Sequence, residues 1–187
     1  GAQFKLDQLT EEVEKSLPLV LEIEVEGKQY QHDLERYQAI QRLIGQKQTE
    51  VDGLGIFLTD LKNKKTLFQT SHDWTIASKN IMSSDLKEIV ATEFTQRIEK
   101  FKQTGDFCAR VFPQSKLAHE LKDSVTEFSQ LAPVIATLRT PSLKDRHWAK
   151  IDKMLNQEGL QAGNIKIQTL VDIGAANYSE EFATIAV

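Results

Sequence analysis

The sequence predicts a mainly α, elongated multi-helix bundle of about six to eight helices with short loops, and room for one short β-hairpin. Three observations predict it. Apolar residues recur in steps of three and four over long stretches. No convincing internal repeat, low-complexity tract or long linker interrupts them. Strand signals are few, the clearest being the period-two alternation of Leu19 to Glu26.

That segment reads Leu-Val-Leu-Glu-Ile-Glu-Val-Glu and ends at Gly27-Lys28, which predicts one arm of a hairpin within 19–30. Tyr30, Leu34, Tyr37, Ile40 and Ile44 then restore a helical stripe. Asp52-Gly53-Leu54-Gly55 reads as a break between helices, and a boundary near 45–55 divides the chain into 1–50 and 51–187. Leu86, Val90, Phe94, Ile98 and Phe101 predict a helix entered from Ser83-Ser84-Asp85, a capping run with an acid in the first turn. Leu117, Leu121, Val125, Phe128, Leu131, Ile135 and Leu138 hold one helical face for about six turns. Pro133 predicts a kink or break within it. Thr140-Pro141 predicts a further helix start carrying Leu143, His147 or Trp148, Ile151 and Leu155. Ile165-Lys166-Ile167 is a second short strand candidate.

Composition narrows the function. In 187 residues, 40% are hydrophobic and 27% charged, and the net charge is −4 with both signs spread along the chain. That argues against nucleic acid or an anionic membrane as partner, since either calls for a basic patch. Lys62-Asn63-Lys64-Lys65, the richest basic run, reads as a solvated turn. No apolar run approaches the ~20 residues of a membrane span, and no signal peptide is visible. Cys108 is the single cysteine, so an internal disulfide is impossible. Its setting, Phe107-Cys108-Ala109, predicts an inert buried thiol, and a reducing compartment is the simplest home. The start at Gly1-Ala2-Gln3 without Met, and the stop at Ile185-Ala186-Val187 inside an apolar pattern, read as an excised piece of a longer chain.

Catalytic patterns are absent. A phosphate loop needs a glycine-rich turn followed by Lys and Ser/Thr, so that backbone N–H groups can approach phosphate. The one Gly-Lys pair, Gly27-Lys28, lies between Glu26 and Gln29 and fails that pattern. His32, His72, His119 and His147 are scattered without metal-ligand spacing. No Gly-x-Ser-x-Gly elbow occurs, and acid pairs such as Glu11-Glu12 and Glu180-Glu181 read as solvated faces. No cofactor is expected.

The most distinctive stretch is Leu138-Arg139-Thr140-Pro141-Ser142-Leu143-Lys144-Asp145-Arg146-His147-Trp148. Read from its residues, it is a helix end, a turn and a new helix start. Trp148 would pack in the core, with Arg146 and His147 hydrogen-bonding to nearby helix ends. The sharper reading makes it an interface, because Trp and Arg are favoured anchors between partners.

This stretch, as Leu-Arg-x-Pro-x-Leu-x-x-Arg-His-Trp, resembles a signature of the linker region of dynein heavy chains. Flanking segments are similar as well: Phe128 to Ile135 before it, Ile167 to Gly174 and Tyr178 to Glu181 after it, and Trp74 with the helix near 84–104 upstream. The resemblance covers about residues 70–187 and is weaker over 1–70.

The resemblance implies a mechanical, non-catalytic piece of a microtubule motor. In that family a ring of six AAA+ modules hydrolyses ATP, and the linker bends and straightens across it to move the tail. The implied partners are the AAA+ ring of the same heavy chain and the rest of the linker and tail. The implied place is the cytoskeleton, with the ciliary or flagellar axoneme favoured over the general cytoplasm. Leu138, Arg139, Pro141, Leu143, Arg146, His147 and Trp148 are then signature residues, structural or interfacial. The competing readings are a helical adaptor binding partner helices and, third, an enzyme with a cleft of converging acids and histidines.

Overall fold

A computed structural model describes residues 2–185. Gly1, Ala186 and Val187, which bear on the reading of the chain ends, lie outside the described residues. Nine α-helices follow in order among those residues: α1 Ala2–Asp7, α2 Val13–Leu43, α3 Leu54–Ser83, α4 Ala91–Val111, α5 Lys116–Ser129, α6 Leu131–Leu138, α7 Asp145–Leu155, α8 Ile167–Asp172 and α9 Ser179–Ile185. Single 3-10 turns stand at Leu86–Glu88, Leu160–Ala162 and Ala175–Tyr178. The fold is an all-α multi-helix bundle, as the periodicity predicts.

The hairpin reading of 19–30 is corrected: the segment is interior to α2, an unbroken 31-residue helix. Its alternation serves three helical directions instead of two strand faces. Ile23 points into the core at 0% exposure. Glu22 and Glu26, one turn apart, both accept from Lys5 Nζ of α1, at 2.8 and 2.6 Å. Glu24 turns toward α3 and accepts from Lys65 Nζ at 2.6 Å, with Lys28 Nζ at 2.9 Å. These bonds lift the Lys5 ammonium to about 12 and hold the Glu22 and Glu24 carboxyls below their usual range. Alternating glutamates therefore mark two neighbouring helices, and the 3.6 period wins because it turns Ile23 to the core, Glu22 and Glu26 to α1, and Glu24 to α3.

Two apolar clusters share α3. Leu61 and Phe68 close the smaller one with Leu6, Leu17, Val20 and Ile23 from α1 and α2. Leu67, Trp74, Ala77 and Ile81 join the larger one, which takes in α4 through α9. Trp74 is its hub on α3. The ring stands edge-on to Phe128 at 4.8 Å between centroids and 5.1 Å from Phe101, and the indole N–H donates to Ser124 Oγ at 2.9 Å. α4 and α5 approach closely where Gly105 faces Lys122, since a β-carbon at Gly105 would lie 3.4 Å from Lys122 Cα. Cys108 is fully buried between these elements, and burial pushes its thiol up to about 11.

Three boundaries differ from expectation. The stripe from Leu117 to Leu138 breaks at Gln130, a turn earlier than Pro133. Pro133 occupies the first turn of α6, where a missing N–H costs nothing because those amides have no helical acceptor. The helix expected from Ser83-Ser84-Asp85 begins only at Ala91. Asp85 instead opens a 3-10 turn, its N–H donating to the Glu88 carboxylate at 3.0 Å, and Val90 is exposed ahead of α4. Ile165–Ile167 forms no strand; Lys166 makes one isolated antiparallel bridge with Asp85.

A candidate functional corner and its relatives

Thr140 and Pro141 do not start a helix. Thr140 Oγ1 donates back to Ala136 O at 2.8 Å, so Thr140 closes α6. Pro141 is exposed in the turn that follows, and α7 starts at Asp145 with Lys144 as its cap residue. Leu138 is buried at the end of α6, and Leu143 packs half-buried against the larger core. Arg139 and Arg146 are exposed. His147 and Trp148, consecutive on α7, are both buried.

Polar contacts at this corner are directed at backbone ends. Arg139 Nε donates to Ile89 O at 3.2 Å, between the first 3-10 turn and α4. Lys144 N–H points at His147 Nδ1 at 3.2 Å, and Arg146 Nε at His147 Nε2 at 3.0 Å. A neutral imidazole has one acceptor nitrogen, so one of these is a hydrogen bond and the other a close N–N contact. Burial, and the positive charges of Arg146, Lys144 and Lys150, hold the His147 ring below its ordinary range, which favours the neutral form.

From the corner, α7 reaches a second loop. Asp152 accepts from the N–H groups of Gly159 and Leu160 at 3.1 and 3.4 Å, and Asp145 accepts from Gln161 Nε2 at 3.0 Å. That loop in turn pairs with the α3–α4 connection. Lys87 N–H donates to Gly163 O at 3.0 Å, Leu86 N–H to Ile165 O at 2.8 Å and Ile167 N–H to Ser84 O at 3.1 Å. Lys87 Nζ reaches Asn164 Oδ1 at 2.6 Å, and Lys166 Nζ reaches both Ser83 O at 2.9 Å and Asp85 at 3.1 Å. Gly163 permits the approach: its φ is +66°, and a β-carbon there would stand 2.8 Å from Lys87 Cβ.

Segments 84–89, 138–148 and 159–167 thus form a closed circuit of contacts around Leu86, Leu138, Trp148, Leu160 and Ile167, all buried. Leu138, Arg139, His147 and Trp148 supply one side of it. Lys87, Asp152, Gly163 and Lys166 supply the rest and escape a reading of the sequence alone. The glycines at 159 and 163, four apart before Asn164, are the visible turn signal for that loop.

The corner holds its segments together through hydrogen bonds. Its buried ionisable group is an imidazole surrounded by cations, with no nucleophile or carboxylate aimed at it. The other histidines lie elsewhere: His32 is exposed on α2, His72 stands 3.5 Å from Glu14, and His119 contacts Pro113 O. Among the described residues, no group of three or more His, Cys, Asp or Glu could hold a metal ion. None of the described helices is long and apolar enough to cross a membrane.

Comparison with known proteins places this architecture. Residues 54–187, from the start of α3 onward, match the family model described as dynein heavy chain, N-terminal region 2. The chain is 22% identical over 154 residues to the rat (Rattus norvegicus) dynein axonemal heavy chain 1, covering 80% of this chain and 3% of that protein. Against the human (Homo sapiens) dynein axonemal heavy chain 3 it is 23% identical over 132 residues, covering 67% and 3%. The human dynein axonemal heavy chain 6 is 22% identical over 121 residues, covering 65% and 3%. The chain therefore spans only a few hundredths of the length of the relatives it matches. With the family match running across most of the helices and the whole interlocked corner, the chain belongs to the dynein heavy chain family, in its N-terminal region.

Proposed function

We propose that this chain is a non-catalytic mechanical element of the heavy-chain linker, passing ATP-driven changes of an AAA+ ring to the tail in microtubule-based movement. The single observation that carries the reading is the interlocked corner. A lever must not dissipate displacement internally. Dense interiors barely compress, so the weak points of a helical bundle are its connections. Here the connection between α3 and α4, the turn between α6 and α7, and the loop after α7 are tied to one another by backbone hydrogen bonds and the Arg139 contact.

Partners under this reading are the ring of the same polypeptide and the neighbouring linker and tail, and the site of action is the ciliary or flagellar axoneme, where the relatives' names place them. Residues 1–50 and 51–187 act as two parts of this element, joined through α3. Hydrolysis belongs to the ring.

The test is a comparison in the intact heavy chain. Arg139→Ala and Gly163→Ala loosen the circuit at two points. ATP turnover should persist while microtubule gliding slows in both. Unchanged gliding, with the loosening verified by amide exchange in 84–89, would remove the mechanical role from this corner.

A further inference from the structure

The two sides of α7 differ in character. His147, Trp148, Ile151 and Leu155 are buried. Arg146, Lys150 and Lys153, in steps of four and three, stand exposed along one outer face, and exposed Lys144 precedes them at the cap. The row runs about 10 Å, at ~1.5 Å per residue.

No carboxylate answers this row among the described residues. Both acids of α7 are turned to the following loop, Asp145 accepting from Gln161 and Asp152 from the N–H groups of Gly159 and Leu160. Cations elsewhere, such as Lys5, Lys65 and Lys166, meet carboxylates in ion pairs, but none of those pairs takes in Lys144, Arg146, Lys150 or Lys153. The charges acting on the buried His147 ring are those of Arg146, Lys144 and Lys150, all positive.

These cations work against their own helix. Lys144 and Arg146 oppose the dipole at its N-terminus, where Asp145 offsets only one of them, and Arg146 and Lys150 repel one turn apart. Nothing within residues 2–185 relieves that repulsion, in a chain whose net charge is −4. Local rules broken without compensation gather at functional surfaces.

We infer that the outer face of α7 is a contact surface for an acidic segment of the AAA+ ring, whose carboxylates pair with Arg146, Lys150 and Lys153. A row of cations suits a row of carboxylates, whereas a single phosphate calls for donors converging on one point. An element that leaves and regains the ring in each cycle needs a face that tolerates water when released. Charged side chains do so, and a large apolar patch does not. The interlocked corner lies directly behind α7, so force applied at this face enters the braced part of the bundle. This surface depends on the proposed placement of the chain in the linker, but its test reads contact and not movement, so the two fail separately.

Carbodiimide coupling in the intact heavy chain tests it, because the reagent joins an ammonium to a carboxylate already in contact with it. Lys150 and Lys153 should couple to Asp or Glu of the ring in the nucleotide-free or the ATP-bound state, as read by peptide mass spectrometry. The yield should fall about threefold or more between ~0.05 and ~0.3 M salt, as screening shortens the reach of the charges. Lys150→Gln should lower the coupling of Lys153 about twofold, while Lys47→Gln, the same charge change on the exposed loop after α2, leaves it unaltered. Absence of coupling from both lysines in both states would overturn the inference. So would couplings confined to residues 1–187, couplings to a second heavy chain or to the microtubule in place of the ring, or ring couplings indifferent to salt and to Lys150→Gln.

Discussion

Replacing Gly163 by alanine isolates the contact on which the corner depends. Two effects add. At φ +66° an L-residue with a β-carbon costs ~1 kcal/mol. The new carbon would also stand 2.8 Å from Lys87 Cβ and 3.2 Å from Lys87 Cα and N. Those are largely backbone atoms, so the 84–89 segment must withdraw. Withdrawal breaks the bonds from Lys87 N–H to Gly163 O and from Leu86 N–H to Ile165 O, at ~1 kcal/mol each. The total is about 3 kcal/mol. Gly159→Ala is the control: its φ is +77°, but nothing lies within 4 Å of a β-carbon there, so only the backbone cost of ~1 kcal/mol remains. Urea unfolding followed by circular dichroism measures the difference of about 2 kcal/mol. In a thermal scan it corresponds to an additional fall in Tm of roughly 4–8 °C for a domain of this size. Equal losses for the two variants would show that 163 and 87 are not locked together, and the circuit would lose its closing contact.

Trp148→Ala should cost about 3–5 kcal/mol, since the ring is 8% exposed within the larger core; unchanged thermal stability would make Trp148 a contact residue instead. His147 gives the stability a pH slope of known sign. Its folded-state pKa lies below the ordinary 6.5, so the unfolded chain binds more protons as pH falls beneath that value. His147 therefore contributes stability above about pH 6.5 that is lost as pH drops toward its folded pKa, and His147→Gln should flatten the fall of unfolding midpoints below pH 6.5. An unaltered slope in that variant would assign the titration to another group.

Helical periodicity made the bundle legible where a stripe buries one face, as over α5 and α6; the stripe Tyr30, Tyr37, Ile40 and Ile44 forms a helix yet stays exposed. Leu121, Val125, Phe128, Leu131, Ile135 and Leu138 are all buried, as their spacing requires. The failures have a common physical origin in tertiary partners. Glu22, Glu24 and Glu26 alternate because α1 and α3 lie on different sides of one helix, and a two-residue period cannot be told from that arrangement without knowing where Lys5 and Lys65 stand. Thr140-Pro141 carries the chemistry of a helix start, yet Thr140 is bonded backward to Ala136 O and the turn runs on to Lys144. At the corner, Leu138, His147 and Trp148 were conspicuous by motif, whereas Lys87 and Gly163 are separated by all of α4 through α7 and meet only in the fold. Such pairings between distant loops leave no local pattern.

The most direct test of the mechanical account places one fluorophore at Val90, an exposed position of this element, and a second on the AAA+ ring of the intact heavy chain, and follows energy transfer through the nucleotide cycle. The account predicts two transfer efficiencies that alternate with nucleotide state, while a pair of labels both placed within 54–187 shows no change. A separation from the ring that stays constant between nucleotide-free and ATP-bound protein would contradict it.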